Sequence, residues 1–102
     1  MSTPSTPQPA TVSITVVEAP ACHYCADALQ ALQEFAEEGY SLDVRTLDVR
    51  DPAGQELMRF HGAGMSPLVL VDGLYFSQGR LPRRKLAKHL QQSSPGTQVA
   101  GV

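Results

Sequence analysis

Val12-Ser13-Ile14-Thr15-Val16-Val17-Glu18-Ala19-Pro20-Ala21-Cys22-His23-Tyr24-Cys25 is the stretch that decides how this chain folds. From Val12 to Val17 the apolar residues Val12, Ile14, Val16 and Val17 mix alternation with a continuous run, the pattern of a strand covered on both faces. Pro20 has no N–H to give a ladder, so the strand ends before it. A helix follows from about Cys22 to Glu38, with Cys25, Leu29, Leu32 and Ala36, and Ala28 and Phe35 beside them, recurring at three- and four-residue steps. Gly39 stops it. The only two cysteines of the 102 residues therefore sit at a helix start.

Two thiols separated by two residues at that place can close into a small disulfide and reopen without moving the backbone far. The unpaired N–H groups and the positive end of the dipole favour thiolate over thiol. Cys22, at the exposed first turn, is the expected nucleophile, and Cys25, one turn deeper, the resolving thiol.

Length and composition fit one soluble domain, residues 11–92, with room for a single core. Met1 to Ala10 is rich in Ser, Thr, Pro and Gln and reads as a disordered leader without the features of a signal peptide. Ser93 to Val102 reads as a disordered tail. A formal charge of −2 gives no reason to expect nucleic acid as a partner. No apolar run approaches transmembrane length, so no membrane partner is expected either. A cytoplasmic protein is the default, and there a lone Cys-x-x-Cys is catalytic or metal-binding more often than a static crosslink. Basic residues gather late, at Arg80, Arg83, Arg84, Lys85 and Lys88, whereas Glu34, Glu37 and Glu38 cluster earlier.

Ser41 to Val49 reads as a second strand. Asp51-Pro52 is a helix start, an N-cap acceptor followed by proline, with Ala53, Leu57 and Phe60 on one face. His61 at its end complements the helix dipole in preference to acid–base work. Pro67 opens the strand Leu68 to Val71, Asp72-Gly73 is a hairpin turn, and Leu74-Tyr75-Phe76 returns. Ser77-Gln78-Gly79 turns again, and Pro82 begins a last helix buried through Leu86 and Leu90. The order β-α-β-α-β-β-α implies an α/β fold: a four-stranded mixed sheet with helices on both faces. Cys22, Pro67 and Gly79-Arg80 then converge on one edge of that sheet.

From Val12 to Leu90 the chain resembles the thioredoxin superfamily in its short, glutaredoxin-like form. Ala19-Pro20-Ala21-Cys22-His23-Tyr24-Cys25 is similar to the active-site segment of thioredoxins, and Met65-Ser66-Pro67 to the proline loop. Val71-Asp72-Gly73 through Ser77-Gln78-Gly79-Arg80-Leu81-Pro82 looks closest to the small redox-active disulfide proteins. The resemblance implies a cis peptide bond before Pro67, with the Ser66 backbone beside the disulfide where an extended substrate could pair. Ala21 stands where thioredoxins carry an aromatic residue and Ala19 where many glutaredoxins carry lysine. The glycine pair and acidic residue that hold glutathione are replaced by Gly79-Arg80-Leu81, so Arg80 is expected to meet a carboxylate of another thiol or a protein.

The expected activity is thiol–disulfide exchange with a protein disulfide or a low-molecular-weight thiol. It needs no cofactor or metal, and a thiol reductase of unknown identity would supply electrons to a monomer. His23 and Tyr24 are expected to tune the pair, whose nucleophile needs a pKa in the roughly 3.5–7.5 range of such settings. Two alternatives stand beside this. Two chains could share zinc or an iron–sulfur cluster, since two thiolates complete only half of a tetrahedral site. The fold could also serve as a redox-inactive interaction module.

Overall fold

The computed structural model describes residues 11–93; the expected leader, and the expected tail from Ser94 on, lie outside them. Seven elements follow in order: β1 (Val12–Glu18), α1 (His23–Glu37), β2 (Leu42–Asp48), α2 (Pro52–Phe60), β3 (Leu68–Val71), β4 (Leu74–Gln78) and α3 (Arg83–Ser93). Ser93, expected in the tail, closes α3 instead. No described helix is long and apolar enough to cross a membrane.

The strands lie in the order β2-β1-β3-β4. β1 and β2 are parallel, from Val12 opposite Leu42 to Glu18 opposite Asp48. β3 runs antiparallel to β1, and β4 antiparallel to β3. The turn between them has two positive φ angles, +52° at Asp72 and +83° at Gly73, which suits the right-handed twist of the strands it joins. Asp72 also fastens the hairpin to β1. Its N–H donates to the Ser13 carbonyl at 2.7 Å, and its Oδ1 accepts from the Ser13 N–H at 2.9 Å.

The sheet divides two unequal cores. On one face Ile14, Val16 and Val69 pack with Ala28 and Leu32 of α1 and with Leu86 and Leu90 of α3. On the other, Val17, Leu68 and Leu70 are covered by α2 through Leu57 and Met58, with Leu47, Val49 and Ala63 alongside. The helices thus take both faces, as the element order requires.

Four local readings are corrected. Along α1, Ala31 is buried and Ala36 exposed, so the inward stripe takes in Ala31 in place of Ala36. On α2, Ala53 and Phe60 face solvent, Phe60 being 77% exposed. The inward face runs from Gly54 to Leu57 and Met58, because Gly54 lies against the Asp48 carbonyl, where an added Cβ would sit 2.8 Å from the carbonyl carbon. Asp51 occupies the N-cap with Pro52 following, but its carboxylate makes no capping bond. Finally, β4 continues through Ser77 and Gln78, the register slipping between Val69 and Leu70 so that Phe76 and Ser77 are both buried.

Candidate active site

The end of β1 delivers Cys22 to the N-cap of α1. Its backbone is extended (φ −105°, ψ 109°), and its Sγ accepts a hydrogen bond from the Cys25 N–H at 3.1 Å. A sulfur thus takes the place of the Ser or Asp oxygen that satisfies an orphan donor at most helix starts. Cys22 and Cys25 form a disulfide, with their Cα atoms 5.2 Å apart. Cys25 is 2% exposed while Cys22 is half-buried, so a partner can approach only one sulfur.

The strand-opening proline comes to the same place. The Ser66–Pro67 peptide is cis, and the Ser66 carbonyl lies 3.8 Å from Cys22 Sγ. Pro67 is fully buried, and its own carbonyl accepts from the Gly79 N–H at 3.0 Å. Gly79 has φ +75°, the left-handed conformation for which glycine is suited, and the flexible end of Met65 lies over it, Cε 2.9 Å from where a Cβ would stand. Cys22, Cys25, Ser66, Pro67 and Gly79 therefore form one cluster.

The other expected residues sit around it. His23 and Tyr24 are exposed on the first turn of α1, and with Met65, 54% exposed, Tyr24 gives the rim an apolar character. Arg80 is exposed and lines an open groove of about 450 Å³ with Asp27, Leu81, Pro82, Arg83 and Arg84. Arg83 ties α3 to α1, donating to Glu34 at 2.9 Å and Asp27 at 3.2 Å; the bond to Glu34 is the main cause holding its guanidinium above its ordinary pKa. His61 is the C-cap of α2 and stacks edge-on with Phe60 at 4.8 Å.

Beyond the turn from β1, Asp48 closes β2. The Arg50 guanidinium bonds both of its carboxylate oxygens at 2.7 and 2.9 Å, and with the Arg50 N–H this holds the carboxyl down at about 2. Among the described residues, no three His, Cys, Asp or Glu side chains gather where they could hold a metal ion.

Three contributors were not visible in the sequence. Ala21, just before Cys22, has φ +52°, a conformation no composition signal marks. Gln78 Oε1 accepts from both the Gly64 N–H (2.9 Å) and the Met65 N–H (3.1 Å), pinning the loop that leads into Ser66. Met65 itself packs on Gly79, a contact across fourteen positions that only the folded chain creates.

Fold and site together define a thioredoxin-like fold with a Cys-x-x-Cys disulfide at the start of its first helix. Solved structures agree on the fold. A thioredoxin-like protein from Clostridium perfringens superposes with a TM-score of 0.64 at 15% identity, covering 83% of this chain and 72% of that one. A mutant thioredoxin from Halobacterium salinarum NRC-1 gives 0.58 at 20% identity, covering 81% and 74%. Fasciola hepatica thioredoxin gives 0.57 at 15% identity, covering 82% of each. No family model matches the chain, and neither does any curated protein.

Proposed function

We propose that the protein is a thiol–disulfide oxidoreductase that exchanges disulfides with protein or small-thiol substrates through Cys22 and Cys25. The observation that carries this reading is the asymmetry of the pair: one sulfur half-exposed at a helix N-cap, its partner buried one turn on. In the reduced protein the Cys22 thiolate attacks one sulfur of a substrate disulfide. A mixed disulfide forms, and the other substrate sulfur leaves as a thiolate that takes a proton from water. The Cys25 thiolate then attacks Cys22 Sγ, closing the internal disulfide and expelling the second substrate thiolate. The substrate gains two electrons and the protein loses two, which a cytoplasmic dithiol or small thiol would return.

The parts around the sulfurs have distinct tasks in this reading. The Cys25 N–H that now meets Cys22 Sγ would hold the thiolate by a charge-assisted bond and lower its pKa. The Ser66 carbonyl would accept from a backbone N–H of an extended substrate, aligning its disulfide with Cys22. Tyr24 and Met65 would cover the apolar residues of that segment. His23, exposed on the next residue, would bring its ring beside the reacting sulfur and tune the pair.

Reduction of insulin disulfides and a titration of alkylation rate test the proposal. Cys22→Ser should abolish turnover and Cys25→Ser should accumulate the mixed disulfide. Alkylation of Cys22 should show an inflection well below the ~8.5 of an unperturbed thiol. Full turnover in both variants, or an inflection at the unperturbed value, would overturn the reading.

A further inference from the structure

The two edges of the sheet are not alike. β4 is blunted: its register is broken opposite Val69 and Leu70, and the Lys85 ammonium reaches over to donate to the Phe76 carbonyl at 3.5 Å. A bulge and a lysine are two of the devices by which sheets discourage further pairing. β2 has neither. Asp43, Val44, Arg45 and Thr46 are all exposed, and among the described residues no strand lies outside them.

The pairing with β1 fixes which groups of β2 are free. The Val12 N–H donates to the Ser41 carbonyl, and the Val49 N–H to the Glu18 carbonyl, so odd-numbered residues from 41 to 49 turn their peptide groups toward β1. In a parallel ladder the alternate residues point the other way. Leu42, Val44 and Thr46 therefore offer their N–H and C=O groups outward.

We propose that β2 is a self-association edge, on which two copies of this chain pair antiparallel about a twofold axis through Val44. Val44 then forms a hydrogen-bonded pair with the partner's Val44, and Leu42 with the partner's Thr46. Asp43 falls opposite the partner's Arg45 and Arg45 opposite the partner's Asp43, in the closely spaced, non-hydrogen-bonded pairs where side chains meet best. Charge selects this register. Moving the axis one residue either way sets Arg45 against Arg45 or Asp43 against Asp43, and like charges directly opposite repel. Within one chain Arg45 and Asp43 already lie on one face at 4.0 Å, so the dimer completes an alternating square of four charges. Val44, 39% exposed, shares the sheet face of Leu42, which already packs against the larger core, so the paired valines extend that apolar surface. This dimer replaces the monomer expected from sequence and does not depend on the redox reading.

Sedimentation velocity of the full chain, from micromolar to millimolar, tests the edge. The native chain should dimerise. Asp43→Arg gives a chain with two cations on the edge and Arg45→Asp one with two anions. Each repels its own copy, and each should raise the dimer Kd about tenfold or more. An equimolar mixture of the two should dimerise again as a heterodimer, an outcome that restored intrachain pairing cannot explain because neither chain regains its own partner. Val44→Pro removes an outward N–H without touching the β1 ladder, and should leave a folded monomer that still closes the Cys22–Cys25 disulfide. A native chain that stays monomeric throughout, single swaps that leave the dimer intact, or a mixture that does not pair would each overturn the proposal.

Discussion

At the scale of single residues, the position before the first sulfur is the strained one. Ala21 adopts φ +52°, where a Cβ crowds the following carbonyl at roughly 1–2 kcal/mol. The chain must reverse there, between the end of β1 at Glu18 and the N-cap at Cys22, and Pro20 cannot take a positive φ itself. Strain of this kind persists where surroundings over-determine it, and such sites cluster at reactive centres. Glycine would relieve the crowding but would also add freedom to the unfolded chain, which offsets part of the gain. Ala21→Gly is therefore expected to raise the unfolding free energy of the oxidised protein by about 0.5–1 kcal/mol in urea titration. Ala21→Val, whose branched Cβ suits this region worse, should lower it.

At the scale of elements, the end of β4 works as the clamp on the proline loop. Gln78 accepts two backbone N–H groups from Gly64 and Met65, and Gly79 holds the Pro67 carbonyl on the far side. Both contacts position the Ser66 backbone without touching sulfur. Gln78→Ala should therefore raise KM for an extended peptide disulfide about three- to tenfold, from the loss of one or two exposed hydrogen bonds, while leaving the alkylation rate of Cys22 unchanged. Gln78→Glu keeps the acceptor oxygens and should restore KM; an equal loss in both variants, or a changed alkylation rate, would refute a purely positioning role.

The same element shows what the sequence carried and what it could not. The β1 run, the Cys-x-x-Cys at a helix start, the Asp72-Gly73 turn and Pro67 at the head of β3 are local signals, and they yielded the topology and the pairing of Cys22 with Cys25. Gln78 was read as part of a turn because its neighbours Ser77 and Gly79 are turn residues. Its function is set by a loop thirteen and fourteen positions earlier in the chain, and no local pattern encodes that. α2 failed for a related reason: its inward face begins at Gly54, a residue with no hydropathy of its own, buried because the Asp48 carbonyl leaves no space for anything larger.

At the scale of the molecule, the two cores predict unequal stability on the two faces of one sheet. Leu32, Leu86 and Leu90 are each 2% exposed or less, and each contributes about 1.5–3 kcal/mol of burial to the face shared by α1 and α3. α2 has nine residues, shorter than the ~12–15 at which an isolated helix becomes even marginal in water. Its hold on the sheet is through the half-buried Leu57 and Met58, with Phe60 contributing almost nothing. Such an element opens on its own before the whole unfolds. In native-state hydrogen exchange the amides of α2 should be protected at least about 100-fold less than those of β1 and β3, a difference of roughly 2.8 kcal/mol in opening free energy. Leu57→Ala should lower protection within α2 and leave β1 nearly unchanged. Leu32→Ala should cost about 2–5 kcal/mol and lower protection throughout, because it hollows the core that all four strands share with α1 and α3, β2 through Leu42 alone. Equal losses across all amides in both variants would show that the two faces unfold as one unit. A separate opening of α2 would instead uncover Val17 and Leu68, while the Cys22–Cys25 disulfide would stay anchored through α1 to the larger core.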